Sequence, residues 1–244
     1  MGDGGDRPAF YALTGGGWRD YWTLLHPPYT LWHLSYVAMG AALAPSVDTR
    51  WLLETLLAFL LAMGIAAHAL DELNGRPLGT RIPAAVLRVL AVVGLAGAVA
   101  LGIDAAREIS PWIWAFIGAG VFLVLAYDLE LFGGRIHSDL WFALGWGAFP
   151  VLTAAFAQTA ELRPEAVVLA AACAAISAAQ RALSTPVRDL RRHVARVDGS
   201  VERRDGSVGP IDAASLRVAP ETALRWLCVA MPLLAVAMLW GKLG

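Results

Sequence analysis

An all-α polytopic membrane bundle of about seven transmembrane helices is the fold this sequence predicts, and three observations predict it. Hydrophobic residues fill 58% of the 244 positions and charged residues only 16%, against the roughly 45–50% apolar and 25% charged of soluble domains. The apolar residues collect in runs of about 17–20, enough for a helix to cross a hydrocarbon layer in which every backbone group must be satisfied internally. The basic residues crowd into alternate connections between those runs.

Taken in order, residues 1–20 are acidic and glycine-rich with no apolar core, which reads as a loosely ordered polar tail and not a cleavable signal. Residues 21–244 form one transmembrane domain, because no Pro/Gly/Ser-rich linker divides them. Its segments are expected at Pro28–Ala44, Trp51–Leu70, Ala84–Ile103, Pro111–Tyr127, Leu140–Ala157, Glu165–Ser184 and Thr222–Gly241. Trp22, Trp32, Trp112, Trp114 and Tyr127 mark the membrane interfaces. Runs such as "GLAGAVALG" and "AAACAAISAA" supply small residues for close helix packing. Pro150 and Pro232 fall inside segments and are expected to kink them. Cys173 and Cys228 lie in apolar runs and read as small buried hydrophobes, with no disulfide framework.

Of the 19 lysines and arginines, all but Arg50, Arg107, Arg163 and Lys242 fall in the tail or in the connections after the second, fourth and sixth segments. The positive-inside rule then predicts integration into the cell membrane with a cytoplasmic N-terminus and the C-terminus opposite. The longest polar connection, about residues 185–221, contains "PVRDLRRHVARV", an amphipathic basic helix suited to anionic headgroups. "DGSVERRDGSVGP" follows, a repeated tetrapeptide around a charged turn that predicts a loop or short hairpin. Nothing in the chain points to nucleic acid.

Polar groups at membrane depth are costly, so a one-sided cluster of them is the natural site candidate. His68 and Asp71 stand three residues apart on one face at the cytoplasmic end of the second segment. Asp128 and Glu130, then Arg135, His137 and Asp139, follow the fourth. Ser177, Gln180, Arg181 and Ser184 end the sixth, and His33 lies in the first near the same side. Asp71 with Asp128 are the candidate metal ligands, since a hard Mg²⁺ takes carboxylates facing phosphate. No HExxH motif or histidine box is present.

These residues carry a resemblance. "LLHPPYTLWHLSYVAMGAAL", "DELNGRPLGT" and "YDLELFGGRIHSDLWFALGWGAFPVL" together resemble motifs of the UbiA-type intramembrane prenyltransferases over roughly residues 20–185. The resemblance implies an all-helical bundle that transfers an isoprenoid chain from a membrane-bound isoprenoid diphosphate to an acceptor, with Mg²⁺ as cofactor. The family's NxxxDxxxD motif keeps only Asp71 here, with Met63 and Ala67, or Ala67 and Gly75, at the other positions. Its DxxxD motif falls on Gln180 and Ser184. The segments number seven against the family's usual nine. With those carboxylates missing, the diphosphate falls to Arg76, Arg81, Arg135, Arg181 and Arg188, since guanidinium groups suit phosphate oxygens. His68 and Asp71 are the expected catalytic pair, and His33, Asn74, Asp128 and Gln180 complete the substrate site. Two rivals stand beside this reading. One is a non-catalytic lipid-binding protein or complex subunit; the other is a metal-dependent membrane enzyme built on His33, His68, Asp71 and His137.

Overall fold

A computed structural model describes residues 7–243. Among these residues there are eight helices and one small hairpin. Helix α1 (Trp18–Leu25) precedes α2 (Pro27–Ala41). The long helices follow as α3 (Thr49–Leu73), α4 (Ala84–Glu108), the shorter α5 (Ile113–Asp128), α6 (Asp139–Thr159) and α7 (Pro164–Arg192). Strands β1 (Gly199–Glu202) and β2 (Val208–Ile211) pair antiparallel, and α8 (Ala213–Leu239) completes the chain.

Five of these helices, α3, α4, α6, α7 and α8, are long and apolar enough to cross a membrane, and α5 is equally apolar but shorter. Each of the seven expected segments falls on a helix. Local chemistry starts them. Asp48 Oδ1 accepts from Trp51 N ahead of α3, and Asp212 and Ser215 form a reciprocal capping box ahead of α8. Pro27 and Pro28 open α2, where missing N–H groups cost nothing.

Helix α2 is the centre of the bundle. Trp32, Tyr36 and Met39 are fully enclosed against Val151 of α6, Cys173 of α7 and Met231 of α8. The Tyr36 hydroxyl accepts from Trp32 Nε1 at 2.6 Å and from Ser177 Oγ at 3.2 Å. That closed triad removes Ser177 from the expected polar cluster. Close approach depends on glycine: a Cβ on Gly40 would sit 2.4 Å from Val151 O, and one on Gly147 2.7 Å from Cys173 O. Helix α4 is the opposite case, with only 17% of its apolar window buried. Val89, Val92 and Val93 face outward, as a lipid-facing surface requires.

Two helices widen into π turns, at Leu60–Ala67 in α3 and at Ala143–Ala148 in α6. The second meets Pro150, which has no N–H to offer the preceding turn, so the proline is absorbed by a looser ladder. Two expectations change. The tail is not loose where it is described: Ala9, Tyr11 and Ala12 are buried and α1 begins at Trp18, while residues 1–6 lie outside the described part. The basic connection is also shorter than 185–221, because α7 continues through Pro186 to Arg192 and α8 starts at Ala213. The hairpin expected from the DGSV repeat is present.

Candidate functional site

A polar cavity of about 330 Å³ opens at the end where α3, α5 and α7 finish and α2 starts. Helical spacing supplies its walls. His26, Tyr29 and His33 recur at three- and four-residue steps from the start of α2, and Arg181, Ser184, Arg188 and Arg192 do the same along α7. His68 and Asp71 enter from α3, Asp128 from α5, and Phe142 and Trp146 from α6.

The histidines are held in defined orientations. His68 Nδ1 lies 2.9 Å from Gly64 O inside the π turn. His26 Nδ1 lies 2.7 Å from Leu24 O, and His137 Nδ1 lies 3.0 Å from Tyr127 O. A carbonyl only accepts, so each Nδ1 carries a proton, and in a neutral ring Nε2 then presents a lone pair. The His26 and His68 rings lie 4.2 Å apart between centroids. Burial, and next the neighbouring His68, hold His26 well below the usual histidine range, so it stays neutral. Burial, and then Tyr29, push the Tyr11 phenol up, which keeps it protonated.

The arginines divide into two kinds. Arg181 is locked: Nε donates to Asp139 Oδ1 and Nη1 to the Tyr127 hydroxyl, both at 2.6 Å, and the guanidinium lies over Phe142. Arg188 donates to its neighbour Thr185. Arg192 makes one long contact, 3.4 Å, to Pro8 O. Both of these keep donors for a ligand. Buried polar atoms lacking partners complete the cavity: His33 Nε2, Asp128 Oδ2 and Gln180 Oε1 make no hydrogen bond. Each such atom costs about 1–3 kcal/mol, so a partner there is worth much.

Of the residues expected at a site, His33, His68, Asp71, Asn74, Asp128, Gln180, Arg181 and Arg188 all line this one cavity. Arg76, Arg81 and Arg135 do not. Arg76 Nη1 donates to Thr80 O and Ile82 O, bracing the loop between α3 and α4. Glu72, fully buried, accepts from Leu78 N, Thr80 N and Thr80 Oγ1 of the same loop. Arg81 faces a separate groove with Arg76, and Arg135 is exposed on the loop before α6. The sequence reading passed over Tyr11, His26 and Arg192. The α7 stripe could have revealed Arg192 and the step from His26 to Tyr29 and His33 could have revealed His26, whereas Tyr11 carries no local signal, because it comes from the segment before α1.

Asp71, Asp128 and Glu130 line the cavity, while among the described residues no three His, Cys, Asp or Glu side chains stand together as a metal-binding group. Beyond Trp146 lies a second space, bordered by α3, α4, α5 and α6 and lined almost wholly by apolar side chains such as Phe59, Leu95, Phe116 and Val124. Trp146 stacks on Phe142 at 9° and borders both spaces. No family model matches the sequence, and no curated protein or solved structure is detectably similar to it.

Proposed function

We propose that this chain is a UbiA-like bundle of seven transmembrane helices, a divergent prenyltransferase or isoprenoid-processing enzyme acting at the cytoplasmic face. One observation carries the reading: a cavity with spare arginine donors adjoins an apolar chamber at Trp146, which lines both. A diphosphate-bearing lipid has that same division, with a charged head and an apolar tail. Arg188 and Arg192 would hold the diphosphate, Arg181 would contribute fixed positive charge, and the chain would lie between Phe59, Leu95, Phe116 and Phe149.

In the transfer step the bond from the allylic carbon to the diphosphate oxygen breaks and the diphosphate leaves with the electron pair. The acceptor's nucleophilic atom bonds that carbon and its proton passes to His68 Nε2, whose lone pair is set by the Gly64 contact. No step is routed through Mg²⁺. The positive-inside bias puts this end, and the N-terminus, in the cytoplasm.

The missing carboxylate cluster also favours a second reading, a lipid-binding protein without turnover. Purified protein in nanodiscs, given farnesyl diphosphate and a membrane extract as acceptor source, separates them. Transfer or diphosphate release that persists in EDTA and falls about 10²–10⁴-fold in His68→Ala supports the enzyme. Farnesyl diphosphate retained without turnover supports the lipid binder, and no retention at all sinks both.

A further inference from the structure

His33, Gln180 and Asp128 come from three different helices and are 4, 4 and 6% exposed, yet each ends in an unpartnered polar atom within one cavity. Natural folds leave few such atoms, and a concentration of them marks a place where a partner belongs. The side chains of His33 and Gln180 are within reach of one another and interact, though His33 Nε2 and Gln180 Oε1 are not brought into good hydrogen-bond geometry, so Gln180 Oε1 keeps room for a further donor. Gln180 stands about 12 Å deeper along α7 than Arg188, at 1.5 Å per residue. The anion-binding donors and the orphaned atoms are therefore different parts of the cavity.

The deep part asks for a group that can do both. The Gln180 amide oxygen accepts from an approaching donor, and a buried carboxyl such as Asp128 accepts when ionised and donates when protonated. A ligand group that matches them must donate and be able to accept. An ammonium group would meet Arg181 and Arg188 in the same cavity, and two of the three orphaned side chains are neutral types. Hydroxyl groups donate and accept without adding charge.

We propose that His33, Gln180 and Asp128 form a subsite for a polyol group, two or more hydroxyls on a lipid-soluble acceptor, which donate to Gln180 Oε1 and pair with Asp128 Oδ2. This rests on the transferase reading and names the acceptor class for it.

Three single-chain probes test it by native mass spectrometry of the full chain released from detergent: monoolein with two free hydroxyls, methyl oleate with none, and oleylamine. Monoolein is expected to be retained at least 10-fold more than either other probe. Gln180→Met removes that preference while raising Tm by about 2–4 °C, as loss of an unsatisfied buried group predicts. His33→Leu repeats the test from a second helix. Equal retention of the three probes, a preference for oleylamine, or a Gln180→Met protein that is less stable with its preference intact overturns the subsite. Farnesyl diphosphate is measured in parallel. If it is not retained, the transferase reading fails even where the hydroxyl preference stands; if it is retained while monoolein is not preferred, only the subsite fails.

Discussion

Trp146 has the polar cavity on one side and the apolar chamber on the other, and the two spaces are kept open by different means. The cavity is braced by polar side chains: His26, His68 and His137 each rest on a carbonyl, and Arg181 is tied to the side chains of Asp139 and Tyr127. In the chamber the polar side chains bond within their own helices, Thr55 to Trp51 O, Thr153 to Phe149 O and Glu54 to Arg50. The chamber is bounded by aromatic and branched side chains, with Gly102, Gly120 and Gly145 leaving room. Three polar atoms without partners lie in the first, while the second is lined mainly by apolar side chains, with Glu54 Oε2 the unpartnered exception. Side chains bounding the chamber should therefore matter most for stability, and free side chains in the cavity most for binding.

The largest effect should come from the shared wall. Trp146 is buried against Tyr127 and Phe142, so Trp146→Ala should cost about 3–5 kcal/mol through lost packing and the void left behind. Denaturant unfolding in micelles measures it, and a loss below about 1 kcal/mol would mean that the two spaces are not divided by this ring. Next comes Arg188→Ala, which removes a charged donor with only a local contact to Thr185. Affinity for farnesyl diphosphate should fall about 10–100-fold, in line with charge-assisted hydrogen bonds, with Tm nearly unchanged. Arg135→Ala, outside the cavity, is the control and should change neither.

The smallest effect is the pH response of His26. Its folded-state pKa is depressed, so above about pH 6.5 both folded and unfolded states are neutral and stability is flat. As pH falls below that, the unfolded chain takes up the proton first and stability drops by at most about 1.4 kcal/mol per pH unit for this group. His68, Tyr11, Arg188 and Arg192 face the same ring and shape the response. His26→Asn tolerates the positive φ of 49° and should flatten the slope of melting temperature between pH 7.5 and 5. Parallel slopes in the two proteins would refute the assignment to His26.

Much of the site was legible because helices repeat. The spacing of His68 with Asp71 and of Gln180 and Arg181 with Arg188 put these residues on common faces, and the apolar runs brought their ends to one side of the bundle. Arg76 and Arg81 sit in a stretch as polar as any, and there the sequence misleads. Their positions depend on a loop that Glu72 and Arg76 build from its own backbone groups, and those partners exist only once the loop has closed. The ends of α7 and α8 were misread for a related reason, since a hydropathy window stops where arginines begin although the backbone ladder does not.

The sequence by itself determined that this chain forms apolar helices and that their polar ends gather on one side, because the length of a run and the helical period are local properties. Only the tertiary structure decided which of those polar groups remain unsatisfied. Tyr36 paired with Trp32 and Ser177, Glu72 with a loop, and Arg181 with Asp139, whereas His33, Gln180 and Asp128 each kept an unpartnered atom in the wall of one cavity. A hydrogen bond needs both partners within about 3 Å, and that distance between separate helices is set by packing.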